Sequence, residues 1–245
     1  MSVKQRTLKS EFSLNGKGLH TGKQVTATFK PAEENFGYRI RRMDLEGSPE
    51  IPALAEYVKL MDRASCLEKD GVCVFTMEHA MAALYGCGID NCLIELSGEE
   101  FPILDGSAKY YVEEIEKVGF EEQKADRRYF TVKEQMEFCS EDGQTKITLL
   151  PDTDYNINLV VAYDSPYLQM QYATYSEKVT DFAKEIAPCR TFVFLRELEM
   201  LLQHNLIKGG DLDNAIVIVD REISQEEVNR LAKLFNHDSI EVKQG

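Results

Sequence analysis

The sequence predicts an α+β protein built as two layered sheet-and-helix domains. Three observations carry this expectation. Period-two alternation in the first hundred residues marks strands with one wet face. The segment "TMEHAMAALYG" repeats apolar side chains at helical spacing. Strands followed by helices then recur after residue 124, giving an N-terminal domain over 1–124 and a second over 125–245.

In "QVTATFKP" the side chains of Val25, Ala27 and Phe29 share a face, and in "YRIRRMD" those of Tyr38, Ile40 and Arg42 do. Both read as strands of an antiparallel sheet. A helix begins at Thr76, its expected N-cap, and stops at Gly86 and Gly88. Met77, Ala80, Met81 and Leu84 form its apolar stripe. "NCLIEL" follows as a strand. "SAKYYVEEIEKVGF" is a second amphipathic helix, capped by Ser107, with Tyr111, Ile115 and Val118 inward. The charged stretch Glu121 to Arg128 lacks an apolar stripe and marks the domain boundary. Strands are expected at "YFTVKEQMEF", "TKITLLP" and "YNINLVVAYD". After them come a helix around "RELEMLLQHN", a glycine turn "KGGDLDN" and a strand "AIVIVD". The last helix, "SQEEVNRLAKLFN", starts on Ser224, and Glu227 three residues on completes a capping box.

The formal net charge of -14 argues against nonspecific binding to a phosphate backbone, which needs a basic surface. No nucleic-acid partner is expected. No apolar run is long enough to span a bilayer, so no transmembrane segment is expected. The polar start "MSVKQRTLKSEF" lacks a signal-peptide stretch, and the expected compartment is the cytoplasm. The six cysteines form no C-x-x-C pair, which argues against a structural zinc knuckle and for small buried hydrophobes.

Glu78 and His79 stand together where a helix begins. One reading is local: a carboxylate in a first turn meets the positive end of the helix dipole, and the imidazole beside it is a surface or core residue. The other is chemical. A helix N-terminus disfavours imidazolium, so His79 stays neutral, the form that binds a metal. A neighbouring carboxylate then suits a general base for water. Catalytic zinc takes three protein ligands, however, and the chain holds only four histidines and no H-E-x-x-H.

Other stretches offer weaker signals. "NGKGLHTGK" fails the phosphate-loop pattern and reads as a tight turn presenting His20. In "APCRTFVFLRE", Thr191 is either a cap or a donor to an oxyanion. Lys208, Gly209 and Gly210 are either a helix C-cap or a basic side chain beside backbone that a ligand can approach. His237 and Glu241 are spaced i, i+4, but no apolar stripe continues around them.

Taken together, "GKGLHTGK", "TMEHAMAALYGCGIDN", "FPILDGSA", "CRTFVFLRE" and "LIKGGDLDNAIV" resemble UDP-3-O-acyl-N-acetylglucosamine deacetylase, the zinc enzyme of the lipid A pathway of Gram-negative bacteria. The motifs run through the whole chain in order. The resemblance implies an active site in the cleft between the two domains. It also implies zinc-dependent hydrolysis of the N-acetyl group of a UDP-linked 3-O-acylated glucosamine. By resemblance His79 is a zinc ligand, Glu78 the general base and Thr191 a catalytic hydroxyl for the oxyanion. Phe192 is an aromatic beside it, and His20, Lys208, Gly209 and Gly210 lie in the substrate cleft. Tyr163, in "VAYDSP", corresponds loosely to an aromatic that stacks on uracil.

The family completes its zinc site with H-K-x-x-x-D on a later helix and uses a further histidine as general acid. Here Asp238 follows His237, and Glu241 stands where the family has Asp. The expectation is therefore a chain incomplete in its second domain, binding zinc weakly and catalysing poorly. The chain also resembles the family form fused to a 3-hydroxyacyl-carrier-protein dehydratase. The alternative function is a catalytically incomplete fragment or binding module that keeps part of the nucleotide-sugar cleft.

Overall fold

A computed structural model describes residues 3–61, 64–203, 207–235 and 237–242. In the first half, strands β1 (Lys4–Leu8), β2 (Phe12–Lys17), β3 (Gln24–Pro31), β4 (Tyr38–Arg42) and β5 (Glu50–Pro52) precede β6 (Val58–Met61), β7 (Ala64–Lys69) and β8 (Val72–Phe75). Helix α1 (Glu78–Gly86), strand β9 (Cys92–Leu96), helix α2 (Lys109–Val118) and strand β10 (Phe120–Asp126) follow.

The main sheet among the described residues has the order β2-β3-β9-β4-β5. The alternation expected for β3 holds, with Val25, Ala27 and Phe29 buried. The sheet is mixed rather than antiparallel, because β4 and β9 run parallel, Ile40 opposite Ile94. Both helices pack on its apolar face. Ala80, Ala83 and Leu84 of α1 and Tyr111, Val112 and Ile115 of α2 share one core with Phe29, Ile40, Ile94 and Leu96. Phe29 sits at its centre, stacked on Phe12 at 4.7 Å and meeting Tyr111 edge-on at 5.8 Å. The Tyr111 hydroxyl donates to the Pro102 carbonyl at 2.7 Å, so the phenol is buried without an orphaned donor.

One local expectation is corrected. Thr76 does not cap α1; Met77 holds the cap position, with no side-chain hydrogen bond. Thr76 has φ +57°, and its hydroxyl turns instead to Glu100. Most of the charged stretch Glu121 to Arg128 is strand β10, antiparallel to β1. Lys4 meets Asp126 across that ribbon at 2.6 Å, and just beyond the strand Arg127 meets Asp90 at 2.8 Å.

The second half holds β11 (Met136–Cys139), β12 (Lys146–Leu149), β13 (Asn156–Val161) and β14 (Gln171–Ser176). A π-helical turn over Phe182–Ile186 leads to β15 (Phe192–Phe194), helix α3 (Leu195–Gln203), β16 (Ile216–Ile218) and helix α4 (Gln225–Leu234). Strands β11 with β12 and β13 with β14 form two antiparallel hairpins whose Phe138, Ile147, Leu159 and Tyr172 lie on the surface. Strands β15 and β16 pair in parallel, with α3 in the crossover. Leu195, Leu198 and Leu231 centre a second small core. The capping box at Ser224 and Glu227 is present at the start of α4, as the sequence predicts.

The two halves meet backbone to backbone. Gly209 N–H donates to the Leu19 carbonyl at 3.0 Å, and Thr191 N–H to the Gly106 carbonyl at 2.7 Å. A Cβ on Gly209 would lie 2.1 Å from the Gly18 carbonyl oxygen. One on Gly86 would lie 2.2 Å from the Phe182 ring. Only glycine permits these approaches.

Candidate functional site

Helix α1 presents Glu78 and His79 in its first turn. His79 Nε2 lies 4.0 Å from Glu78 Oε1; the histidine side chain is mostly buried and the carboxylate half exposed. Burial pushes the imidazole below the ordinary histidine value, against the opposing pull of Glu78 and Asp105. The unprotonated ring keeps one nitrogen free to accept a proton or bind a metal.

Asp105 comes from the loop that joins β9 to α2. Its Oδ1 accepts from the Ser107 hydroxyl at 2.8 Å and the Ser107 N–H at 3.1 Å. The Ser107 hydroxyl in turn accepts from Lys109 N–H at 3.1 Å, which supports the start of α2 although Ala108 is the cap. Across this loop Arg190 donates to the Asp105 carbonyl at 2.6 Å and to the Leu212 carbonyl at 3.1 Å. The loop therefore links the Glu78–His79 side to the segment that leads through Thr191 into β15.

Thr191, just before β15, and Phe192, its first residue, border a cavity of about 350 Å³. His20, Gly210 and Asp211 line it too; Leu198, Leu201, Ile207, Val217 and Phe235 make the rest largely apolar. Tyr163 joins the aromatic group beside it, 6.1 Å from Phe192 and 5.3 Å from Phe194, edge-on to both. Lys208 packs against Gly22 of the His20 turn, and Asn214 donates to the Gly209 carbonyl at 2.8 Å. The structure thus gathers His20, Thr191, Phe192 and Gly210 around one cavity, with Tyr163, Lys208 and Gly209 next to them.

His237 does not pair with Glu241. Helix α4 ends at Leu234, so the i, i+4 spacing no longer stacks the two side chains. His237 Nε2 instead meets Asp211 Oδ1 at 3.3 Å. Among the described residues, Asp211, Asp213 and His237 are the group whose ligand atoms lie within 4.8 Å of one another, and His79 is not a member. Catalytic zinc takes three protein ligands. Around His79 the described residues supply one imidazole with the carboxylates of Glu78 and Asp105 near it, but no group of three ligand atoms within 4.8 Å of one another, so a zinc site is not complete there.

Sequence reasoning missed Asp105 and, more seriously, Glu100. Glu100 is only 2% exposed and accepts four hydrogen bonds from residues 20, 21 and 76. Its sequence context, "GEEFP", gives no hint of those partners.

No helix among the described residues is long and apolar enough to cross a membrane. Residues 5–237 match the family described as LpxC: UDP-3-O-acyl N-acetylglycosamine deacetylase. The chain is 52% identical over 242 residues to the "Bifunctional enzyme LpxC/FabZ" of Bacteroides thetaiotaomicron, covering 99% of this chain and 52% of that protein. It is 48% identical over 241 residues to the protein of the same name from Porphyromonas gingivalis, covering 98% and 52%. To the "UDP-3-O-acyl-N-acetylglucosamine deacetylase" of Marinobacter nauticus it is 41% identical over 227 residues, covering 92% and 74%. The chain spans about half the length of the bifunctional relatives it matches. With a family match across nearly its whole length, the chain belongs to the LpxC family of UDP-3-O-acyl N-acetylglycosamine deacetylases.

Proposed function

We propose that the chain acts in hydrolysis of the N-acetyl amide of UDP-3-O-acyl-N-acetylglucosamine, an early step of lipid A biosynthesis. The supporting observation is the apolar cavity that opens beside Thr191 and His20. Its volume and lining suit a flexible acyl chain, with a few polar groups at one end to orient the sugar. Glu78, exposed and next to a ring that burial keeps neutral, is placed to take a proton from water. The Thr191 hydroxyl is the donor for the oxyanion of the amide carbonyl. Tyr163 and Phe192 offer aromatic edges to the base, and Lys208 with Gly209 and Gly210 offers a cation beside open backbone. His79 would be one zinc ligand of the three that a catalytic site requires. The domain division at residue 124 and a cytoplasmic location belong to the same reading. All six thiols are free, which suits a reducing compartment.

Acetate release from the UDP-linked substrate tests this, with and without added zinc. Thr191→Ala is expected to cost about 3 kcal/mol of transition-state stabilisation, roughly a hundredfold in rate. Release that survives both Glu78→Ala and Thr191→Ala refutes these roles. The incomplete ligand set around His79 favours a second reading, a binding module for the nucleotide sugar. Calorimetric binding of the substrate with no acetate released at any zinc concentration selects it.

A further inference from the structure

Glu100 carries the inference. It is a carboxylate in the interior whose hydrogen-bond partners are all neutral; among the described residues no cation pairs with it. Its Oε1 accepts from His20 N–H at 2.8 Å and from the Thr76 hydroxyl at 3.1 Å. Its Oε2 accepts from Thr21 N–H at 2.9 Å and the Thr21 hydroxyl at 2.7 Å. Two successive N–H groups aimed at one carboxylate form a concave anion cradle. The fit is close: a Cβ on Gly18 would stand 2.2 Å from Oε2.

The other end of the contact is equally constrained. Phe75 N–H donates to the Glu99 carbonyl at 2.9 Å, and Phe101 N–H to the Phe75 carbonyl at 3.1 Å. Thr76, the next residue, is β-branched yet left-handed at φ +57°, a conformation that needs outside support. Its N–H is held by the Ser65 carbonyl at 3.0 Å and its hydroxyl by Glu100. Two residues later come Glu78 and His79. On the far side, the Leu19 carbonyl of the His20 turn accepts from Gly209.

We propose that Glu100 is a positioning residue: its buried carboxylate fixes the His20 turn and the Thr76 approach to Glu78 and His79 in one frame. What is positioned rests on the deacetylase reading; the frame itself does not. Neither end is local to Glu100 in sequence, so the side chain couples the His20 turn to the segment that leads into α1. Glutamine keeps the shape but offers one acceptor oxygen for four donors.

The test is Glu100→Gln in the full chain, read by amide hydrogen exchange and by nitrogen–proton spectra of the histidine rings. Exchange at His20 and Thr21 is expected to speed at least tenfold, and the His79 ring resonances to move, while Val228 and Leu231 in α4 keep their protection. Glu100→Asp, which retains both oxygens, restores part of the protection. Thr76→Val removes one donor only, so it moves the His79 resonances and leaves the Thr21 amide protected. His79 resonances unchanged in both Glu100→Gln and Thr76→Val overturn the proposal, because Glu100 then staples only its own turn. Should Glu100→Gln fail to fold, Glu100→Asp and Thr76→Val decide by the same criteria. None of these readouts depends on turnover. Failure of the deacetylase reading shows separately, as acetate release indifferent to Glu78→Ala.

Discussion

Replacing Gly106 by alanine puts a methyl carbon 2.0 Å from the Asn214 carbonyl oxygen and 3.1 Å from Thr191 Cγ2. Gly106 also has φ +81°, so two penalties act together. They separate by comparison with Gly37→Ala. Gly37 has φ +70° and nothing within 4 Å of the added carbon. Gly37→Ala should therefore report backbone strain alone, about 1–2 kcal/mol. Gly106→Ala bears a similar strain. It must also move Asn214 by about an ångström, which costs about 1–3 kcal/mol as overpacking. The same movement endangers the 2.7 Å hydrogen bond from Thr191 to the Gly106 carbonyl, worth about 1 kcal/mol. The expected gap between the variants is about 2–4 kcal/mol. Urea unfolding measures it directly, and thermal unfolding should show it as roughly 4–16 °C. Equal losses in the two variants would refute the reasoning: Gly106 would then be needed for its φ and not for the closeness of the second half.

Gly86→Ala should destabilise, although alanine is ordinarily the better helix former by about 1 kcal/mol, because the methyl meets Phe182. Adding Phe182→Ala should return the usual sign, and a double-mutant cycle by urea unfolding measures the coupling. Burial pushes the thiols of Cys87 and Cys92 up to about 12, whereas Cys139 and Cys189 are exposed. Iodoacetamide at pH 8 should thus label Cys139 and Cys189 first, as read by peptide mass spectrometry; early labelling of Cys92 would contradict the packing. His79 is depressed in the folded state, so the unfolded chain binds the proton more readily. Stability should rise with pH up to the unfolded histidine value near 6.5 and fall below it, and His79→Gln should flatten that slope in unfolding midpoints between pH 5 and 7.

Local pattern foretold the elements whose partners lie nearby or whose faces differ sharply. Strand β3 alternates because one face meets α1 and α2 and the other does not. The Ser224 cap was readable because both members of the box lie within one turn. Strand β14, "QYATYS", offered no alternation to read, since most of its residues are exposed on either face. Strand β10 was not legible as a strand, because its partner, β1, lies more than a hundred residues upstream. Thr76 looked like a cap by residue type, yet its N–H donates to Ser65 and its hydroxyl to Glu100. The parallel pairing of β4 with β9 left no mark on either strand's own pattern. Among the site residues, the motif order drew attention to His20, Thr191, Phe192 and Gly210, which the fold gathers at one cavity. It passed over Glu100, whose donors are assembled only by the fold.

The contact between Gly18 and Gly209 has a consequence for how this crevice can diversify. Main chain touches main chain there, so no side chain serves as a spacer that could be lengthened or shortened. The gap between the walls is consequently inherited from peptide geometry. Changes in the bulk of Leu198, Leu201 or Val217 would retune the volume of the hollow and leave that main-chain contact as it is.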